Sequence, residues 1–201
     1  MKKVIILLVV AAITMATHSW NNYHWKSDTL NPAVKDRTKS SLYDVSAGVV
    51  EWANLGTPIQ PVNSGGKGQI VVKEASNVFW LGLARIFIDA DGHISKGEVL
   101  LNTRLLESYG PEAADHVLCQ ELGHVLGLNH QRDALDSCMN DQAPLGSVTT
   151  PNAHDTEQLL VIYNHADTVE EDDGGNNGKG GGKGKPAEGR WVTVHVFEAP
   201  N

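Results

Sequence analysis

The segment from Pro111 to His130 restricts the fold more than any other stretch of this chain. Ala114, Val117, Leu118, Leu122, Val125 and Leu126 recur at three- and four-residue steps, which predicts an amphipathic helix over 111–127 with one apolar stripe facing a core. Pro111 suits the first helical position, and Gly127 is a natural stop. Gln120, Glu121 and His124 stand in the second half of this helix, and His130 lies just beyond the stop. Residues four apart on a helix share a face, about 6 Å from one another. Gln120 and His124 therefore project together with Glu121 beside them, and a bend at Gly127 lets His130 approach from outside the helix.

Other segments fall into place around this one. Leu42, Val45, Val49 and Trp52 predict a helix within 38–54, closed by Gly56 and Pro58. Ile70-Val71-Val72-Lys73 reads as a strand after the turn residues Gly65 and Gly66. Two extended runs, 79–88 and 94–102, flank Asp91-Gly92 and predict a hairpin. A last helix is expected over 153–165, capped by Asn152, with Leu159, Ile162 and Tyr163 on its buried side. Residues 20–37 show no clear period. Residues 169–190, rich in Gly, Lys and acidic groups, read as a flexible linker. The alternating Trp191-Val192-Thr193-Val194-His195-Val196-Phe197 leads the tail 191–201, a strand that pairs back on the sheet, pairs with a partner, or frays.

Met1-Lys2-Lys3 followed by an apolar run to about Ala16 has the form of a secretory signal over 1–19, with cleavage after Ala16 or Ser19. The run is shorter than the about 20 residues a membrane helix needs, and no membrane span is expected. Losing Lys2 and Lys3 takes the formal charge from -8 to -10. So acidic a chain is a poor partner for nucleic acid or an anionic membrane. Export permits a disulfide between the only two cysteines, Cys119 and Cys138; the rival expectation is two buried thiols.

Glu121, His124, Gly127 and His130 occupy fixed positions of the signature H-E-x-x-H-x-x-G-x-x-H, with Gln120 in its first place. Ser137-Cys138-Met139-Asn140-Asp141 follows, and Met139 stands where a Met-turn would lie. On these residues the chain resembles the metzincin clan of zinc peptidases, its matrixin-like and snapalysin-like small secreted bacterial branches above all, over roughly residues 38–167. The resemblance implies an α+β (α/β) zincin domain over 20–168: a twisted mixed sheet with an antiparallel edge strand, an N-terminal helix, an active-site helix, a Met-turn and a C-terminal helix. It implies Zn²⁺ as cofactor, His124 and His130 as ligands, and Glu121 as general base. A peptide or protein substrate would pair along an edge strand, for which 94–102 is the candidate. The protein is expected to be secreted and monomeric.

Gln120 departs from the pattern. Its amide oxygen is a neutral, hard donor where zinc favours imidazole or thiolate. Three outcomes stay open: Gln120 ligates through oxygen; His124 and His130 hold the ion with water or another side chain; or the metal is lost and a peptide-binding module remains. His116 is no substitute, because eight helical residues from His124 is about 12 Å, whereas two nitrogens on one zinc lie within about 4.2 Å. It is expected to flank the cleft or to be exposed. Asp133 is a candidate to orient a ligand imidazole, or a solvated loop carboxylate. His154, His165 and His195 read as surface or packing residues, and Tyr163 as core. Asp89-Ala90-Asp91-Gly92 resembles part of a calcium loop, but Phe87 stands at its first position, so a hairpin turn is expected in place of a calcium site.

Overall fold

In a computed structural model of the chain, residues 19–133, 135–164 and 189–199 are described. The signal segment up to residue 18, the linker at 169–188 and His165 lie outside them. The described residues form a six-stranded mixed sheet and four helices. In chain order these are β1 (Ala33–Asp36), α1 (Val45–Ala53), β2 (Val62–Asn63), β3 (Ile70–Glu74), β4 (Trp80–Ile88), β5 (Ile94–Leu101), α2 (Thr103–Leu106), α3 (Pro111–Val125), α4 (Ala153–Tyr163) and β6 (Arg190–Glu198). The sheet order is β2-β1-β3-β5-β4-β6. The pairs on the β2 side as far as β3–β5 are parallel; β4 is antiparallel to both β5 and β6. No helix among the described residues is long and apolar enough to cross a membrane.

Helix α3 lies on the sheet against β4, β5 and β6, and α1 packs on α3. Ile70, Val72, Leu81, Ile86, Val99, Leu118 and Val125 are almost fully buried between these layers, together with Trp25 and Trp52. Two glycines allow the close approach. A Cβ at Gly97 would lie 3.1 Å from that of Val125, and one at Gly82 would meet Val117 at 2.5 Å and the Glu121 carboxylate at 2.8 Å.

Helix α1 starts later than its apolar period suggests. Residues 38–40 spend their backbone N–H groups on the carboxylates of Asp36 and Glu74, and Asp44 caps the helix by accepting from the Ala47 N–H. The hairpin at Asp91-Gly92 forms as expected, with Gly92 at φ +90°. Helix α4 opens on Asn152 with reciprocal capping by Asp155. The stretch 20–37, unreadable by period, supplies β1 and two anchors at the end of α3: the Trp25 indole N–H donates to the Val125 carbonyl, and the Trp20 backbone N–H donates to the Gly127 carbonyl.

The expectation for 94–102 is corrected. β5 has β3 on one side and β4 on the other, so its backbone groups are already paired and it is no sheet edge. The hairpin folds β4 outward, and β4's outer side is in turn covered by β6. Of the three fates open to the tail, the chain adopts pairing back on its own sheet.

Candidate metal centre

Helix α3 and its end position the polar groups. Gln120, Glu121 and His124 are all fully buried on α3. At the helix end Leu128 N–H donates to the Gly123 carbonyl, and Gly127 takes φ +105°, a left-handed conformation that favours glycine. A Cβ there would also lie 2.7 Å from the Tyr23 carbonyl. The turn sends the chain back, so that the rings of His124 and His130 lie 4.8 Å apart.

A third imidazole meets them. The His195 ring, from β6, is 4.4 Å from His124 and 4.5 Å from His130. One nitrogen from each of the three lies within 4.8 Å of the others, an arrangement that could hold a metal ion. His195 therefore is not the ordinary surface or packing residue expected of it. The cause is a β-bulge. Ala84 pairs with His195 but Arg85 pairs with Thr193, so Val194 is an extra residue on β6. Simple alternation groups His195 with Trp191 and Thr193, which are exposed. Past the bulge, His195 and Phe197 instead turn toward α3, where they meet Glu121 and His116.

Each ring has an oriented partner. His124 Nδ1 lies 2.8 Å from the Leu128 carbonyl and 3.2 Å from the Trp20 indole N–H. One tautomer cannot serve both; the shorter contact, to a carbonyl, requires the proton on Nδ1 and leaves Nε2 with a bare lone pair. His130 Nδ1 is 3.2 Å from the carboxylate of Asp141, which Arg132 holds in turn. His195 Nδ1 is 2.8 Å from Glu121 Oε1. Nε2 of His124, Nε2 of His130 and Oε2 of Glu121 are buried and have no hydrogen-bond partner. Unpaired polar atoms are rarely buried, and their convergence fits a cation between the rings.

The electrostatics favour neutral rings at His124 and His130. Burial, with the neighbouring imidazoles, holds His124 well below the usual histidine range and His130 down at about 4. Burial raises the Glu121 carboxyl, and His195 opposes that shift. Asp141 is held low, first by its hydrogen bond to Arg132. Unprotonated imidazoles near neutral pH are the form a metal needs.

The remaining expected residues are placed as follows. Cys119 and Cys138 form a disulfide. Met139 is fully buried beneath α3, against Gly123. Its N–H is bonded by the Ser137 hydroxyl, and its carbonyl accepts from Gln131 N–H, which ties the segment after His130 to the turn. The Gln120 side-chain NH₂ donates to the Cys138 carbonyl at 2.8 Å, and its Oε1 has no partner. His116 is buried against the Phe197 ring, neither exposed nor among the clustered imidazoles. Asp133 does not orient a ligand: it is exposed, 3.9 Å from His154, and Asp141 takes that place beside His130. Tyr163 is buried and donates to the Leu126 carbonyl. At the hairpin, Asp89, Asp91 and His93 also lie close together, but the Lys26 ammonium already faces both carboxylates, at 2.9 Å from Asp91 and 3.6 Å from Asp89.

Compared with known protein families and with curated proteins, the chain matches none.

Proposed function

We propose that the protein is a secreted zinc-dependent peptidase of metzincin type, hydrolysing peptide bonds with Glu121 as general base. The observation that carries this reading is the meeting of two bare, buried Nε2 atoms, from His124 and His130, next to a buried carboxylate with one unpartnered oxygen. Imidazole nitrogens suit zinc. The supporting shell also fits, since each ring turns its other nitrogen to a carbonyl or carboxylate oxygen. Met139 under the helix and the turn at Gly127 add the features that the resemblance expects.

Bound zinc would polarise the scissile carbonyl and acidify a water molecule. Glu121 Oε1 is fixed by His195, which leaves Oε2 to receive a proton from the attacking water. The water oxygen bonds to the carbonyl carbon, the C–N bond breaks, and Glu121 hands the proton to the departing amine. Burial makes the carboxylate more basic than an exposed one, which suits that transfer. An extended polypeptide is the substrate, and the free sheet edge nearest the histidines among the described residues is the outer side of β6, where backbone pairing holds a peptide without demanding one sequence.

Hydrolysis of a fluorescence-quenched peptide library by the zinc-loaded full chain tests this. Glu121→Gln should lower the rate by about 10²–10⁴-fold, the usual share of a general base, with zinc content unchanged. An unaltered rate in that variant removes Glu121 from the proton's path. Bound zinc with no hydrolysis by the native chain points instead to a peptide-binding module.

A further inference from the structure

We infer that His195, carried in by the C-terminal strand, is the third metal ligand in the place that Gln120 leaves open, so that metal binding and the docking of β6 are one linked equilibrium. The inference rests on the zinc site proposed above and concerns who completes it.

Zinc bonds of 2.0–2.1 Å in a tetrahedral arrangement set ligand nitrogens roughly 3.4 Å apart. The three imidazoles offer nitrogens within 4.8 Å of one another, so only small rotations separate them from a common ion. Glu121 stands to His195 as Asp141 does to His130 and the Leu128 carbonyl to His124: an acceptor on Nδ1 that leaves the other nitrogen to coordinate. Gln120 is occupied differently. A carbonyl can only accept, so the contact with Cys138 fixes the amide with its NH₂ toward that oxygen, and the side chain ties α3 to the segment before Met139. The oxygen left over is neutral, a weaker donor to zinc than imidazole. The bulge at Val194 has no other evident task than to turn His195 and Phe197 toward α3.

A consequence follows for the tail. Docked β6 presents a three-histidine site; undocked, it leaves two. An ion that binds the docked state better must stabilise it by the same factor. Zinc is therefore a clasp for residues 190–198, which the chain reaches only after the Gly- and Lys-rich stretch that follows α4.

The test is titration of metal-stripped full-length protein with zinc against a chromophoric chelator, alongside hydrogen exchange of residues 190–198. His195→Ala should weaken zinc about a hundredfold or more, His124→Ala should do the same, and Gln120→Ala should change it by no more than severalfold. Zinc should slow exchange across β6 in the native chain and not in zinc-saturated His195→Ala, a readout that does not depend on the variant's affinity. Unchanged affinity in His195→Ala, with loss in His124→Ala, overturns the role of His195 while the zinc site stands. A large loss in Gln120→Ala and His124→Ala, with His195→Ala unchanged, does the same and gives the place to Gln120. Equal exchange with and without bound zinc in the native chain overturns the clasp. No zinc binding by the native chain sinks the site and this inference together.

Discussion

Replacing Gly123 by alanine is a sharp probe of how the centre is supported. Gly123 precedes His124 on α3, and a Cβ there would lie 2.4 Å from the Met139 sulfur and 2.7 and 2.9 Å from two carbons of the Trp52 ring. Ordinary carbon contacts are about 3.5–4.0 Å, so relief requires a shift of about 1 Å. Neither neighbour has room to move: both are almost fully buried, and the Trp52 indole N–H is bonded to the Cys119 carbonyl. Overpacking of this kind costs about 1–3 kcal/mol, against a gain of about 1 kcal/mol for alanine over glycine in a helix interior. Because neither neighbour can yield, the cost falls in the upper part of that range, about 2–3 kcal/mol, and the net expectation is a loss of about 1–2 kcal/mol. With a urea slope of about 2 kcal/mol/M, the middle of the usual range for small proteins, the midpoint should fall by roughly 0.5–1 M. Gly48→Ala is the matched control. Its Cβ would meet only leucine side-chain ends, Leu122 at 3.3 Å and Leu118 at 3.4 Å, which can yield, so the helix gain should dominate and stability should hold or rise. A Gly123→Ala protein as stable as the native one would refute the close seating of Met139 and Trp52 beneath the helix.

Two further outcomes are expected. Replacing both Cys119 and Cys138 with alanine opens a cross-link of sequence separation 19 and should cost about 3 kcal/mol in the chain-entropy picture, read as a lower urea midpoint. His116 is pushed down to about 4 by burial, so between pH 6.5 and pH 4 the unfolded chain binds a proton that the folded chain refuses. Stability of the metal-free protein should therefore fall as pH drops through that window, with His116 contributing about 2 kcal/mol of the loss by pH 5. His116→Phe should flatten the urea-midpoint profile between pH 7 and pH 5, and an unchanged slope would show that His116 is accessible to protons in the fold.

Much of the architecture was legible where local chemistry speaks. The stripe from Ala114 to Leu126, the left-handed stop at Gly127, the Asp91-Gly92 hairpin and the Asn152 cap each report a local constraint, and each appears within a few residues of its expected place. The site was half legible for the same reason: Glu121, His124 and His130 belong to one helix and its turn. His195 was not, because its role depends on a pairing between β4 and β6 that joins residues about a hundred positions apart in the chain. The bulge then reverses the face that alternation assigns to it, so no count along Trp191–Phe197 could have found it. The edge strand was misjudged for a related reason: whether β5 is covered is decided by β3 and β4 together, not by the residues of β5. Asp133 was the only carboxylate read as a partner for His130, from its nearness in sequence; Asp141, which Arg132 holds beside that ring, was missed because the contact depends on how the chain folds back after the turn.

X-ray absorption at the zinc edge of the loaded native chain tests the central claim most directly. The account predicts a first shell containing three imidazole nitrogens at about 2.0–2.1 Å, with the remaining position filled by oxygen. A shell of oxygens with no imidazole scattering would contradict it.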